Sequence, residues 1–179
     1  MKENEKGFYF YPVKLIAGIL YPDQDWWDWT VKELEVLWGP CEIVSLPYEF
    51  NITDYYRDIS PVLFRRFISF TGIRDGADLP RWKKASCLVE ERSRSPRAVN
   101  IDPGYVNGAR LVLASTKDHA HRIYLGEGIH AEVTLRFRFR KWQAFDYTFP
   151  DFAAGTYDEF LSAAREQWIK ETQSRRSCG

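Results

Sequence analysis

Residues 13–40 read VKLIAGILYPDQDWWDWTVKELEVLWGP, and the fold class turns on this stretch. Val13 to Leu20 is a nearly continuous apolar run between Pro12 and Tyr21-Pro22, the pattern of a buried strand. Asp25 then supplies a helix N-cap, and Asp28 adds negative charge to the first turn. Trp27, Val31, Leu34 and Trp38 follow at spacings of four, three and four, which is one helical stripe. Gly39-Pro40 ends that helix.

Working outward, Ile43 to Phe50 alternates, with Val44, Leu46, Tyr48 and Phe50 on one face. Pro47 places this second strand at an edge or on a bulge. A third strand covers Phe64 to Phe70. A helix from Leu79 carries Leu79, Trp82, Ser86 and Val89 on one face, with Pro80 in its first turn. Val99 to Asp102 forms a short fourth strand, stopped by a tight Pro103-Gly104 turn. The order β-α-β-β-α-β predicts an α+β domain with a ferredoxin-like core in an antiparallel or mixed sheet. A C-terminal hairpin and a final helix, about Thr156 to Lys170, extend it. Arg110 to Thr116 fits a strand or a capped short helix, and strand is preferred for Leu-Val-Leu.

The hairpin joins His121–Leu125 to Ile129–Arg140 around Gly126-Glu127-Gly128. A three-residue loop pairs Leu125 with Ile129, Ile123 with Ala131 and His121 with Val133, keeping one face apolar. The other face then pairs Tyr124 with His130 and Arg122 with Glu132. On this register His121 and Arg122 point to opposite faces. His119, His121 and His130 therefore do not converge on a metal, and no metal or other cofactor is expected.

The bulk numbers narrow the function classes. The chain has 179 residues, 45% of them apolar, and reads as a single domain with 1–10 and 171–179 frayed. Lys+Arg and Asp+Glu are both 25, so no global charge favours nucleic acid or an anionic membrane. Cys41, Cys87 and Cys178 are scattered, which suits free thiols in the cytoplasm. No stretch has the form of a signal peptide or a membrane span. The phosphate-loop, dinucleotide and nucleophile-elbow glycine motifs are all absent.

Several segments together resemble a bacterial family catalogued as Domain of Unknown Function 4416. They are Val13 to Tyr21, Phe50 through Asp54-Tyr55-Tyr56, Asn100 to Tyr105, Leu111 through Thr116-Lys117-Asp118 to Gly126, and Ala131 to Leu135. The resemblance spans about Val13 to Trp168. Members are often labelled GTP-binding, and the family implies neither a reaction nor a cofactor. It does imply a polar set of Asp54, Asp102, Lys117, His121, Arg122 and Glu132.

Three functions are compatible with these residues. The first is binding of a phosphorylated small molecule, nucleotide or RNA segment by Lys117, Arg122, Glu132, Tyr124, Asp54 and the basic stripe Arg136-Arg138. The second is phosphoester hydrolysis or transfer, with His121 as general acid or base oriented by Asp102 or Asp118. The third is a protein-interaction module using Trp26 and Trp29. The sequence leaves the oligomeric state open.

Overall fold

The fold is seen in a computed structural model that describes residues 10–53, 56, 58–94 and 97–177. Strand β1 (Pro12–Tyr21) is followed by α1 (Gln24–Trp38). The cap is Asp23 rather than Asp25: its side chain accepts from Trp26 N at 3.0 Å, so the helix begins a residue before Asp25. Gly39, at φ 82°, closes the helix with its N–H on Glu35 O. The expected second strand is two, β2 (Cys41–Val44) and β3 (Tyr48–Glu49), separated at Pro47. Then come β4 (Phe64–Phe70), β5 (Arg74–Asp75), α2 (Leu79–Ser93), β6 (Asn100–Val106) and β7 (Arg110–Ser115). The chain finishes with β8 (Ile123–Gly126), β9 (Ile129–Arg138), β10 (Lys141–Ala144), α3 (Pro150–Ala153) and α4 (Asp158–Ser177). The last helix thus runs seven residues past Lys170.

These strands form one antiparallel sheet of ten in the order β10-β9-β7-β6-β1-β4-β2, with β3, β5 and β8 on its flanks. Side chains of β1 alternate between its two faces. Val13, Leu15, Ala17, Ile19 and Tyr21 pack with Trp27, Leu34 and Trp38 of α1 and Leu79, Trp82 and Val89 of α2. Ile16 joins Phe67, Phe152, Phe160 and Leu161 on the other face, under α3 and α4. Fully burying such a side chain stabilises by roughly 1.5–3 kcal/mol, so the central strand is apolar on both sides. Its one charged exception, Lys14, is fully buried and ion-paired with Glu42 and Glu171, which ties α4 to the sheet. Trp26 and Trp29 are half-buried, edge to face at 5.4 Å, and packed against the α1 side of the core. No helix among the described residues is long and apolar enough to cross a membrane.

Pro103-Gly104 is not a turn. Strand β6 continues through it to Val106, pairing Ala17 with Pro103 and Ile16 with Gly104. What changes there is the other edge, because β6 meets β7 only from Gly104↔Leu113 to Val106↔Leu111. A Cβ on Gly104 would sit 2.3 Å from Val112 O and 2.7 Å from Leu113 Cδ2. Gly104→Ala should therefore force β7 away and cost about 1–3 kcal/mol. Urea unfolding checks this, and a change below the error of the fit would contradict it.

The β8–β9 hairpin keeps the expected register at Ile123↔Ala131 and Tyr124↔His130. Its loop is two residues, Glu127 and Gly128, both at positive φ, and Leu125 bulges out. A second turn of the same kind, Phe139-Arg140 at φ 52° and 62°, starts β10. Neither residue is the Gly or Asn that marks such turns.

Candidate functional site

Where β6 and β7 diverge, the sheet opens, and α2 supplies the groups that β7 would have given. Glu90 Oε1 accepts the Ile101 N–H at 2.7 Å, and Lys83 Nζ donates to Ile101 O at 2.7 Å. Two charged side chains thus complete the backbone pairing of a strand edge. Lys83 also donates to Asp102 Oδ1 at 3.2 Å, and Asn100 Nδ2 to Asp102 Oδ2 at 2.9 Å. Arg97 Nη1 closes the group on Glu90 Oε2 at 2.9 Å. The two carboxyls respond in opposite directions. Burial would raise Asp102, but the charges of Lys83 and Arg65 outweigh it and hold the group below the usual carboxylate range. Burial raises Glu90, and Lys83 and the Ile101 N–H offset this only in part.

The facing wall comes from the end of β7, the loop after it, and β9. Arg122 N donates to His119 O at 2.9 Å, so residues 119–122 form a turn and β8 starts only at Ile123. The alternation expected to send His121 and Arg122 to opposite faces therefore does not apply. Both reach the same oxygen: His121 Nε2 lies 3.0 Å and Arg122 Nε 2.9 Å from Glu132 Oε2. Arg122 Nη1 also donates to Ser115 Oγ at 2.7 Å and Lys117 O at 3.0 Å, fastening the loop. Thr134 Oγ1 donates to Glu132 Oε1 at 3.2 Å. His121→Ala and Arg122→Ala each remove one donor from a buried carboxylate. Each should cost about 1–3 kcal/mol, and a double-mutant cycle by thermal melts should show less than additive loss. Strict additivity would show that the two donors act independently.

Behind the turn, rings stack in a column. His119 and His121 lie 5.8 Å apart, His121 and Tyr147 4.2 Å, and Tyr147 and Phe145 5.2 Å, all within 6° of parallel. Arg136 caps the column over Phe145 at 5.6 Å.

A cavity of about 210 Å³ lies between the walls. Of the residues singled out from the sequence, Asp102, Lys117, His119, Arg122 and Glu132 line it. His121 stands behind Glu132, and its carboxylate partner is Glu132 rather than Asp102 or Asp118. Asp118 is exposed, with His130 Nε2 at 3.6 Å. Tyr124 is exposed and packs on His130 at 5.2 Å, away from the cavity. Arg136 and Arg138 do not face it either. β9 has an extra residue, Thr134, between its pairs with Leu111 and Val112. This bulge puts Ala131 and Val133 on the α2 side and Leu135 and Phe137 on the α4 side. The two arginines therefore share the face opposite Glu132. Asp54 lies outside the described residues.

Sequence reasoning missed Arg65, Lys83, Glu90 and Arg97, all of which line the cavity. The available signal was Lys83 and Glu90 seven residues apart beside the apolar stripe of α2. Arg65 is buried on Asp151 and covers the Phe50 ring at 4.3 Å. Among the described residues no three His, Cys, Asp or Glu side chains are grouped as metal ligands.

Compared with known protein families, residues 11–168 match a domain of unknown function, DUF4416. The chain belongs to that family. The matched DUF4416 region takes in every residue that lines the cavity, from Gly18 to Phe152. No curated protein and no solved structure matches the chain.

Proposed function

We propose that this DUF4416 chain binds a phosphorylated or otherwise anionic small molecule in the β6–β7 cleft. The observation that supports this reading is the charge of the cavity wall. Arg65, Lys83, Arg97, Lys117 and Arg122 line it with Glu90, Asp102 and Glu132, and Asp151 pairs with Arg65 beside it, which leaves one cation in excess. A cleft with an excess of cations concentrates anions, and Arg and Lys hydrogen-bond phosphate oxygens well. Because Arg136 and Arg138 face elsewhere, the ligand is a small molecule rather than an extended RNA strand. Calorimetric titration with inorganic phosphate and pyrophosphate tests the reading. Binding is expected at low ionic strength and should weaken as salt screens the charges. Lys117→Ala should lose about tenfold in affinity, roughly 1.4 kcal/mol. Absence of binding at low salt would sink the proposal.

One observation favours a second reading, phosphoester hydrolysis. His121 is held on Glu132 in the manner of an oriented general base. Turnover of p-nitrophenyl phosphate that vanishes in His121→Ala and Glu132→Gln would support it.

For the fold we infer a ferredoxin-like core. The order β6-β1-β4-β2, with α1 and α2 on one face, supports it. The setting we infer is a reducing cytoplasm, in keeping with the free thiols of Cys41 and Cys87.

A further inference from the structure

The β9–β10 end of the sheet gathers features that oppose folding. Beyond the Thr134 bulge, Leu135 and Phe137 turn to the α4 side, so Arg136 and Arg138 turn to the other. Arg110 of β7 stands directly opposite Arg136, and Lys141 of β10 directly opposite Arg138. Opposed residues share a face, so two like-charge pairs lie side by side on it, and all four residues are exposed. Like charges placed directly opposite each other destabilise a sheet. Arg136 Nε finds only a neutral partner, Gln143 Oε1 at 3.1 Å. From Val133 to Pro150 the sequence sets Arg136, Arg138, Arg140 and Lys141 against a single acid, Asp146. The turn between the strands adds a second cost. Phe139 and Arg140 both have positive φ, a conformation that strains bulky residues and favours Asn and Gly. Phe139 is 74% exposed, with the Arg138 guanidinium over its ring at 4.5 Å. Local strain and repulsion concentrated in one place point to a binding surface. None of these residues lines the cleft cavity.

We propose that this face binds single-stranded nucleic acid, at a surface separate from the cleft. The paired cations would follow the phosphates, and the Phe139 ring would stack on an unpaired base. A bilayer would meet the hairpin end-on at Phe139 and leave Arg110 and Arg136 behind it. An acidic peptide would match the cations and leave the exposed ring unused. The test titrates the full chain with labelled dodecamers of uridylate and of deoxythymidylate, with heparin, and with phosphatidylserine vesicles. At least one dodecamer is expected to bind, and the tighter of the two identifies RNA or DNA as the source. Its log K should fall by about 3 per decade of salt, at roughly 0.7 for each phosphate neutralised. Two variants should melt higher than the unaltered protein and bind less, so misfolding cannot mimic the result. Phe139→Asn keeps every charge and relieves the turn. It should lower dodecamer affinity about fivefold or more, the scale of one base–ring stack, and leave heparin binding unchanged. Lys141→Glu turns a like-charge pair into an opposite one. It should weaken both dodecamer and heparin binding and flatten the salt dependence, with phosphate binding in the cleft untouched. No dodecamer binding at low salt would overturn the proposal. Dodecamer binding indifferent to Phe139→Asn would reduce the face to a general polyanion patch and overturn it as well. Binding to vesicles but to neither dodecamer would assign the face to a membrane surface instead.

Discussion

Lys83→Met is expected to lower folding stability by about 3–5 kcal/mol, the range for removing one partner of a buried ion pair. The Lys83 side chain is 5% exposed and serves three acceptors: Ile101 O, Asp102 and, at 3.8 Å, Glu90. Methionine fills the volume but leaves Asp102 and the Ile101 carbonyl without their cation, and Glu90 with Arg97 alone. The pH dependence gives a second signature. In the unaltered protein the Asp102 carboxyl is depressed, so it contributes stability above its unfolded pKa, lost as pH falls through its folded value. The Glu90 carboxyl is raised, so its contribution has the opposite sign and is lost as pH rises through its folded value. Without Lys83 both carboxyls move up, and protonation relieves the variant. The deficit measured by urea unfolding should therefore shrink between pH 7 and pH 4. A deficit that is constant over that range would contradict this account of the site.

Asp151→Ala should have an effect of the same size, about 3–5 kcal/mol. Asp151 Oδ2 meets Arg65 Nη1 and accepts from Tyr157 Oη at 2.7 Å, with the Arg65 and Asp151 side chains 8% and 5% exposed. Burial alone would lower Arg65, but the Asp151 charge outweighs it and holds the guanidinium ionised. Alanine leaves that charge uncompensated and a phenol unpaired. The double variant Arg65→Met/Asp151→Leu removes both charges and should recover most of the loss, because apolar replacement of a whole buried pair is often near neutral. Chemical denaturation of the single and double variants decides the matter. Equal loss in both would point to packing rather than to the uncompensated charge.

The elements that could be read from the sequence are those whose period is local. Val13–Leu20, the Trp27–Trp38 stripe and the Phe64–Phe70 strand need no distant partner to be recognised. The site was half legible. Asp102, Lys117, Arg122 and Glu132 stand out as polar residues within or beside apolar strand segments, but two signals misled. Pro103-Gly104 has turn chemistry, yet it marks where two strands part, because a proline beside an open edge forgoes no ladder bond. His121-Arg122 looked like strand because the alternation of β8 extends backward on paper. The His119–Arg122 turn that ends it depends on Ser115 and Glu132 holding Arg122 from outside the segment. Lys83, Glu90 and Arg65 were hidden for a related reason: their partners lie on other elements, which only the sheet order brings near.

The central place of β1 bears on the order in which the chain can fold. Ile16 pairs with Ser69 on one side and with Gly104 on the other. The first strand of the fold, apolar on both faces, thus waits for partners that leave the ribosome much later. Such distant pairings slow folding and prolong the exposure of sticky segments during synthesis. A newly made chain cut short before Gly104 would present Val13–Tyr21 with an open edge, a natural target for chaperones that hold apolar strands.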